Sequence, residues 1–165
     1  MVINTERFQL RTLTVKDATD KYLSWFNESL KFSKYISFAQ KKASIGDWIQ
    51  YIEERKNRED ILFLAIFTDD FQHIGNIKYE PINFENKSAT MGILIGEKEW
   101  RGKDVASEVI KRSSEYLKEN FGIKNINLGV DKNNIPAITA YKKMQFKVVK
   151  EVNNGLKMRL SLKWN

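Results

Sequence analysis

The stretch EWRGKDVASEVI (99–110) sets a glycine between two cations just ahead of a helical pattern. That combination suits an anion. Arg101 and Lys103 bring positive charge, Gly102 lets the backbone approach closely, and Ala106 is too small to block the first turn. A helix starting there offers up to four N–H groups without intrahelical partners and the positive end of its dipole, which fits a pyrophosphate. Asp104 and Val105 complete the loop. Taken alone, the pattern reads equally as an ordinary surface helix capped by the Asp104 carboxylate.

A second constellation lies further along. In NIPAITAYKKMQF (134–146), Asn134, Ala137, Tyr141 and Phe146 are separated by 3, 4 and 5 positions. With both segments in this order, the chain resembles the GNAT superfamily of acetyl-CoA-dependent N-acetyltransferases. That family's cofactor loop is usually written Q/R-x-x-G-x-G/A, and its later motif N-x-x-A/S-x-x-x-Y-x-K-x-G-F. Arg101, Val105 and Ala106 fit the first pattern, and Asn134, Ala137, Tyr141, Lys143 and Phe146 the second. Asp104 and Gln145 depart, each standing where the family usually has glycine. The opening TERFQLRTL (5–13) is similar to the T-x-R-L-x-L-R start of the ribosomal-protein-acetyltransferase-like branch.

The resemblance implies an α/β fold: one N-acetyltransferase domain over residues 1–165, with a mixed, mostly antiparallel central sheet flanked by about four helices. Two central strands would splay, and the acyl thioester would lie between them. Acetyl-CoA is the implied co-substrate, with no metal. Its pyrophosphate would sit on the loop from Arg101 to Ala106, with Asp104 turned to solvent because Arg101 and Lys103 outweigh one carboxylate. Its pantetheine arm would pair with the main chain of Leu94 and Ile95, as a peptide adds to a strand edge, and meet Asn134 and Ala137. The Ile95 N–H would polarise the thioester carbonyl. Tyr141 would be the general acid, since a tyrosine of pKa about 10 is protonated at neutral pH and can serve a thiolate of pKa about 8.5. Many relatives carry a Glu just before the third strand's glycine; here Thr90 precedes Met91-Gly92. That leaves Glu80 and His73 as candidate bases, Glu97 and Glu99 behind them, or a chain of waters.

The elements that must position these residues follow from periodicity. FQLRTL (8–13) alternates as a strand, and 15–27 has Ala18, Tyr22, Trp25 and Phe26 near helical spacing. Ser44 and Asp47 form a capping box ahead of an Ile45, Trp48, Ile49, Ile52 stripe, which predicts a helix over 44–58. Between these helices, 28–43 holds Phe32, Tyr35, Ile36 and Phe38 and reads as a partly buried connector, a lid or simple packing. ILFLAIFT (61–68) is a strand covered on both faces, 73–82 returns as its partner, and 88–96 is a third strand whose glycines suggest a bulge or a close approach. A helix over 104–122 ends at Gly122, followed by a strand at 124–130 and a short helix at 136–144. FKVVKEV and LKMRLSLKW flank Asn153-Asn154-Gly155 as a hairpin.

Composition narrows the function classes. The absence of cysteine excludes disulfides and a Cys nucleophile, and a single histidine argues against a histidine metal site. No apolar run is long enough to span a membrane, and MVINTERFQLRTL lacks a secretory pattern, so the expectation is a soluble cytoplasmic protein. The net charge of +7 suits an anionic ligand, yet the positive residues are dispersed, which argues against nucleic acid. The expected acceptor is a small-molecule amine, with a tilt toward a nucleotide-linked amino sugar; a protein N-terminus or a polyamine is the alternative acceptor. A non-catalytic basic binding module is the alternative function. Either a monomer or a homodimer is compatible.

Overall fold

A computed structural model describes residues 1–29 and 44–163. Eight strands form one sheet in the order β1-β2-β3-β4-β5-β6-β8-β7. They are β1 (Val2–Asn4), β2 (Phe8–Thr12), β3 (Leu62–Thr68), β4 (His73–Asn83), β5 (Ser88–Ile95), β6 (Asn125–Asp131), β7 (Lys147–Val152) and β8 (Gly155–Ser161). The helices are α1 (Asp20–Ser29), α2 (Ile45–Arg55), α3 (Val105–Phe121) and α4 (Ile135–Lys143). Every neighbouring pair is antiparallel except β5 with β6.

The unbroken apolar run of β3 has two destinations. Leu62, Leu64 and Ile66 face one core with Val109, Ile110 and Leu117 of α3. Ala65 and Phe67 face the other, with Tyr22 and Trp25 of α1 and Trp48 and Ile52 of α2. Alternation along a strand buried on both sides thus ties two helical layers to one sheet. The helix ends follow their local chemistry. Ser44 and Asp47 make the reciprocal capping box at the start of α2, and Gly122 closes α3 in the left-handed region at φ 66°.

The structure departs from the sequence reading in three places. Residues 15–27 are not one helix: a 3-10 turn at Val15–Asp17 precedes α1. The buried Asp17 carboxylate accepts from the Thr14 N–H at 2.8 Å and from Arg11 at 2.7 and 3.0 Å, an alternative to helix that holds the turn. Strand β1, three residues long, is too short to leave a periodic signal. Gly92 marks no bulge, for the β4–β5 register runs evenly from Gly75–Ile95 to Tyr79–Met91. The close approach is at Gly96, where a Cβ would lie 2.0 Å from the Trp25 ring. Of the connector at 28–43, read as a lid or simple packing, residues 30–43 lie outside the described residues.

Candidate functional site

Strands β5 and β6 pair only over Ser88–Thr90 against Asn125–Asn127. Beyond that, β5 stays with β4 through Ile95 and β6 stays with β8 through Asp131, so the two parallel strands part. The gap widens into a cleft of about 770 Å³ lined by Met91–Ile95 on one side and Leu128–Val130 on the other. Arg101, Asn134, Ala137 and Tyr141 also line it.

Ladder alternation decides which backbone groups face the gap. The Gly96 N–H donates to the Ile74 carbonyl at 2.8 Å, so Leu94 and Asn76, two residues along, also exchange bonds across β4–β5. Ile93 and Ile95 therefore turn their amides away from β4, and the Ile95 carbonyl accepts Arg101 Nε at 3.0 Å. This corrects the expectation for Leu94. Its main chain is committed to β4 and only its side chain reaches the cleft, while Ile93 shares the open edge with Ile95.

The loop beyond Arg101 turns through two left-handed residues, Gly102 at φ 71° and Asp104 at φ 59°. Aspartate tolerates this region better than most residues, which accounts for a position where glycine is usual. Asp104 is the N-cap residue of α3, but its exposed carboxylate makes no cap bond, so the first-turn N–H groups keep their outward character. Val105 is buried in the core and contributes only backbone. The loop is also held from a distance. Glu108 accepts from Thr5 Oγ1 at 2.6 Å and from Arg7 N and Nε at 2.7 Å, and Arg7 Nη2 donates to the Lys103 carbonyl at 3.0 Å. Burial works to raise the Glu108 pKa, but these bonds outweigh it and hold the carboxyl below its ordinary value. Sequence reading saw the TERFQLRTL start but not this clamp.

On the other flank, Asn134 is the N-cap of α4, accepting from the Ala137 N–H at 3.4 Å through Oδ1 and leaving Nδ2 for a partner in the cleft. The end of α4 explains the second motif. The Phe146 N–H bonds to the Tyr141 carbonyl and the Gln145 N–H to the Lys142 carbonyl, both at 3.0 Å, the pattern of a Schellman cap. Gln145 occupies the left-handed position at φ 77°, and Phe146 packs on Tyr141 with ring centroids 5.6 Å apart. The spacing of Tyr141, Gln145 and Phe146 is thus a helix stop that aims the tyrosine. Burial pushes the Tyr141 hydroxyl above its ordinary pKa, so it stays protonated.

The candidate bases are engaged elsewhere. Glu80 is bound by Arg55 at 2.9 Å and Lys78 at 3.1 Å and does not line the cleft. Its burial favours a raised pKa, but those two cations bring it below the ordinary value, which makes it a poor proton acceptor. His73 is half-buried, its pKa lowered by desolvation. Its Nε2 meets two carbonyl oxygens, Gly75 O at 3.0 Å and Asn76 Oδ1 at 2.8 Å, so Nε2 carries the proton. Glu97 accepts from Trp25 Nε1 at 2.9 Å, and Glu99 is exposed on the Lys98–Trp100 turn.

The far half of the cleft went unrecognised in the sequence. Tyr22 and Phe26 of α1, Trp48 and Tyr51 of α2, Phe63 of β3, and Asn76 and Lys78 of β4 line it. The readable signal was the polar alternation Asn76, Lys78, Glu80 within an otherwise apolar strand.

The sequence profile of a family described as "Acetyltransferase (GNAT) domain" matches residues 7–147. Among curated proteins, none matches. Solved structures do. The ribosomal L7/L12 α-N-protein acetyltransferase RimL with coenzyme A aligns at TM-score 0.85 and 11% identity, covering 98% of both chains. The microcin C7 self-immunity acetyltransferase MccE, in complex with acetyl-CoA and AMP, aligns at 0.80 and 17%, covering 95% of this chain and 93% of that one. Spermidine N-acetyltransferase from Vibrio cholerae with CoA and spermine aligns at 0.73 and 17%, covering 94% and 95%.

Proposed function

Because the chain belongs to the GNAT acetyltransferase family, an enzyme family that uses acetyl-CoA, we propose that its parted strands β5 and β6 seat the thioester for direct transfer to a primary amine. The parting itself, beside the Arg101–Ala106 loop and Tyr141, is the observation that carries this reading. The loop's N–H groups, Arg101 and Lys103 receive the pyrophosphate. The open edge of Ile93 and Ile95 and the Asn134 amide receive the pantetheine arm. The amine nitrogen attacks the thioester carbon, forming the C–N bond as the C–S bond breaks. Ile95 N–H stabilises the oxyanion, and Tyr141 gives its proton to the departing sulfur. With Glu80 and His73 engaged, the amine loses its proton to water in the cleft.

The acceptor we favour is a nucleotide-linked amino sugar, taken from the cytoplasm. Similar folds hold acetyl-CoA with AMP in one case and CoA with spermine in another, so the choice rests on this chain's own cleft. Its described lining includes Arg101 and Lys78 and no carboxylate, and the chain carries +7 overall. The first test is thermal: acetyl-CoA at 100 times its dissociation constant adds about 2.7 kcal/mol, which should raise the melting temperature by about 5–10 °C. No shift at millimolar acetyl-CoA would overturn the assignment of the cleft.

A further inference from the structure

One wall of the cleft's far half consists of hydrogen-bond donors that lack enough acceptors. Tyr22 is only 1% exposed and lines the cleft, and its hydroxyl proton meets no acceptor, the Asn76 side chain beside it offering a donor. Buried polar groups left unsatisfied are rare in native proteins, so each calls for an explanation. Asn76 is fixed in orientation. His73 Nε2–H occupies its Oδ1, which turns the Nδ2 donors toward Tyr22 and the cleft. Lys78 follows on the same face of β4. Of its three ammonium protons, Tyr51 Oη and Glu80 Oε2 take two, leaving one. Arg55 is shared between Glu80 at 2.9 Å and Glu54 at 4.0 Å, while Lys78 meets Glu80 alone at 3.1 Å.

Resting on the acetyltransferase reading above, we propose that Tyr22, Asn76 and Lys78 form an oxyanion subsite that selects acceptors bearing a carboxylate or phosphate close to the amine. A wall of donors that includes an ammonium is satisfied by an acceptor-only group. The two rings nearest Lys78 are already engaged by cations. Arg55 already lies 3.4 Å over the Tyr51 ring, and Lys78 Nζ is 5.0 Å from that ring and 5.7 Å from Phe63. The protein's own cations thus already lie against the Tyr51 and Phe63 rings. A polyamine would meet Lys78 with no carboxylate in the described lining to offset it. Binding the oxyanion here leaves the rest of the acceptor directed along β4 toward the gap at Ile93 and Ile95.

Tryptophan fluorescence tests this without turnover, since Trp48 lines the same half of the cleft. CoA-saturated protein is titrated with a nucleotide diphosphate amino sugar, an α-amino acid and spermidine. The expected result is saturable binding of the phosphate-bearing or the carboxylate-bearing amine, with spermidine at least tenfold weaker; the tighter of the first two identifies the oxyanion. Lys78→Met should weaken the preferred ligand at least tenfold, Lys78→Arg should restore much of it, and Tyr22→Phe should weaken it severalfold, while CoA affinity stays unchanged in all three. Tighter binding of spermidine, or unchanged affinity in both Lys78→Met and Tyr22→Phe, overturns the subsite. Loss of CoA binding by the unaltered protein would instead overturn the acetyltransferase reading. If Lys78→Met fails to fold, Tyr22→Phe and Lys78→Arg decide.

Discussion

Gln145 offers a prediction whose size can be worked from the backbone. It sits at φ 77° in the position after the α4 C-cap, where its N–H and that of Phe146 close the Schellman bonds. An L-residue in the left-handed region carries about 1–2 kcal/mol of steric cost. Gln145→Gly relieves that cost but frees the unfolded chain, which takes back roughly 0.5–1 kcal/mol. Gln145 is exposed, so little packing is lost. The net is a stabilisation of about 0.5–1 kcal/mol, or a melting temperature higher by about 1–4 °C for a chain of this size. The control is Gln145→Val, whose β-branched side chain should lower the melting temperature by at least as much. Calorimetry of the three proteins at one pH measures it. A lower melting temperature for Gln145→Gly, or an unchanged one for Gln145→Val, would refute the idea that a strained helix stop sets Tyr141.

The remaining predictions concern the loop, the acid and pH. Tyr141→Phe keeps the ring on Phe146 and should lower kcat by at least about 100-fold with acetyl-CoA affinity nearly intact; an unchanged rate removes Tyr141 from the acid role. Asp104→Gly should alter acetyl-CoA affinity by no more than about fivefold, the reach of an exposed charge, and a much larger gain measured by calorimetric titration would show the carboxylate opposing the phosphates. Arg7→Ala removes the bonds to Glu108 and the Lys103 carbonyl, so KM for acetyl-CoA should rise about tenfold with kcat little changed; a fall in kcat alone would contradict a loop-holding role. Burial raises the pKa of Tyr22, Tyr79 and Tyr141, so the native state holds protons there that the unfolded chain releases near pH 10, and stability should fall as pH rises past that point. A melting temperature constant from pH 9 to beyond about 11 would contradict it.

What the sequence disclosed was local chemistry. The Arg101–Ala106 loop, the Asn134 cap and the Tyr141–Phe146 stop each span a few residues, so their spacing records their geometry directly. The capping box at Ser44 and the stop at Gly122 were legible for the same reason. Long-range facts were not. The Arg7–Glu108 clamp joins residues 101 positions apart, and nothing in either neighbourhood names the other. The choice of Ile93 over Leu94 for the open edge depends on ladder parity, set by where β4 meets Gly96. Glu80 looked free as a carboxylate on a central strand, but Arg55, on a helix 25 residues away, claims it. The Tyr22, Asn76 and Lys78 wall needs α1 and β4 brought together, which only the folded sheet provides.

Acetyl transfer by the purified chain is the most direct measurement. Mixed with acetyl-CoA and a panel of primary amines, it should release CoA thiol only when an acceptable amine is present, with the N-acetyl product identified by mass spectrometry and the anionic amines leading the panel. Acetyl-CoA that binds yet is neither consumed nor transferred across a panel that includes nucleotide-linked amino sugars, amino acids, peptides and polyamines would contradict the acetyltransferase reading.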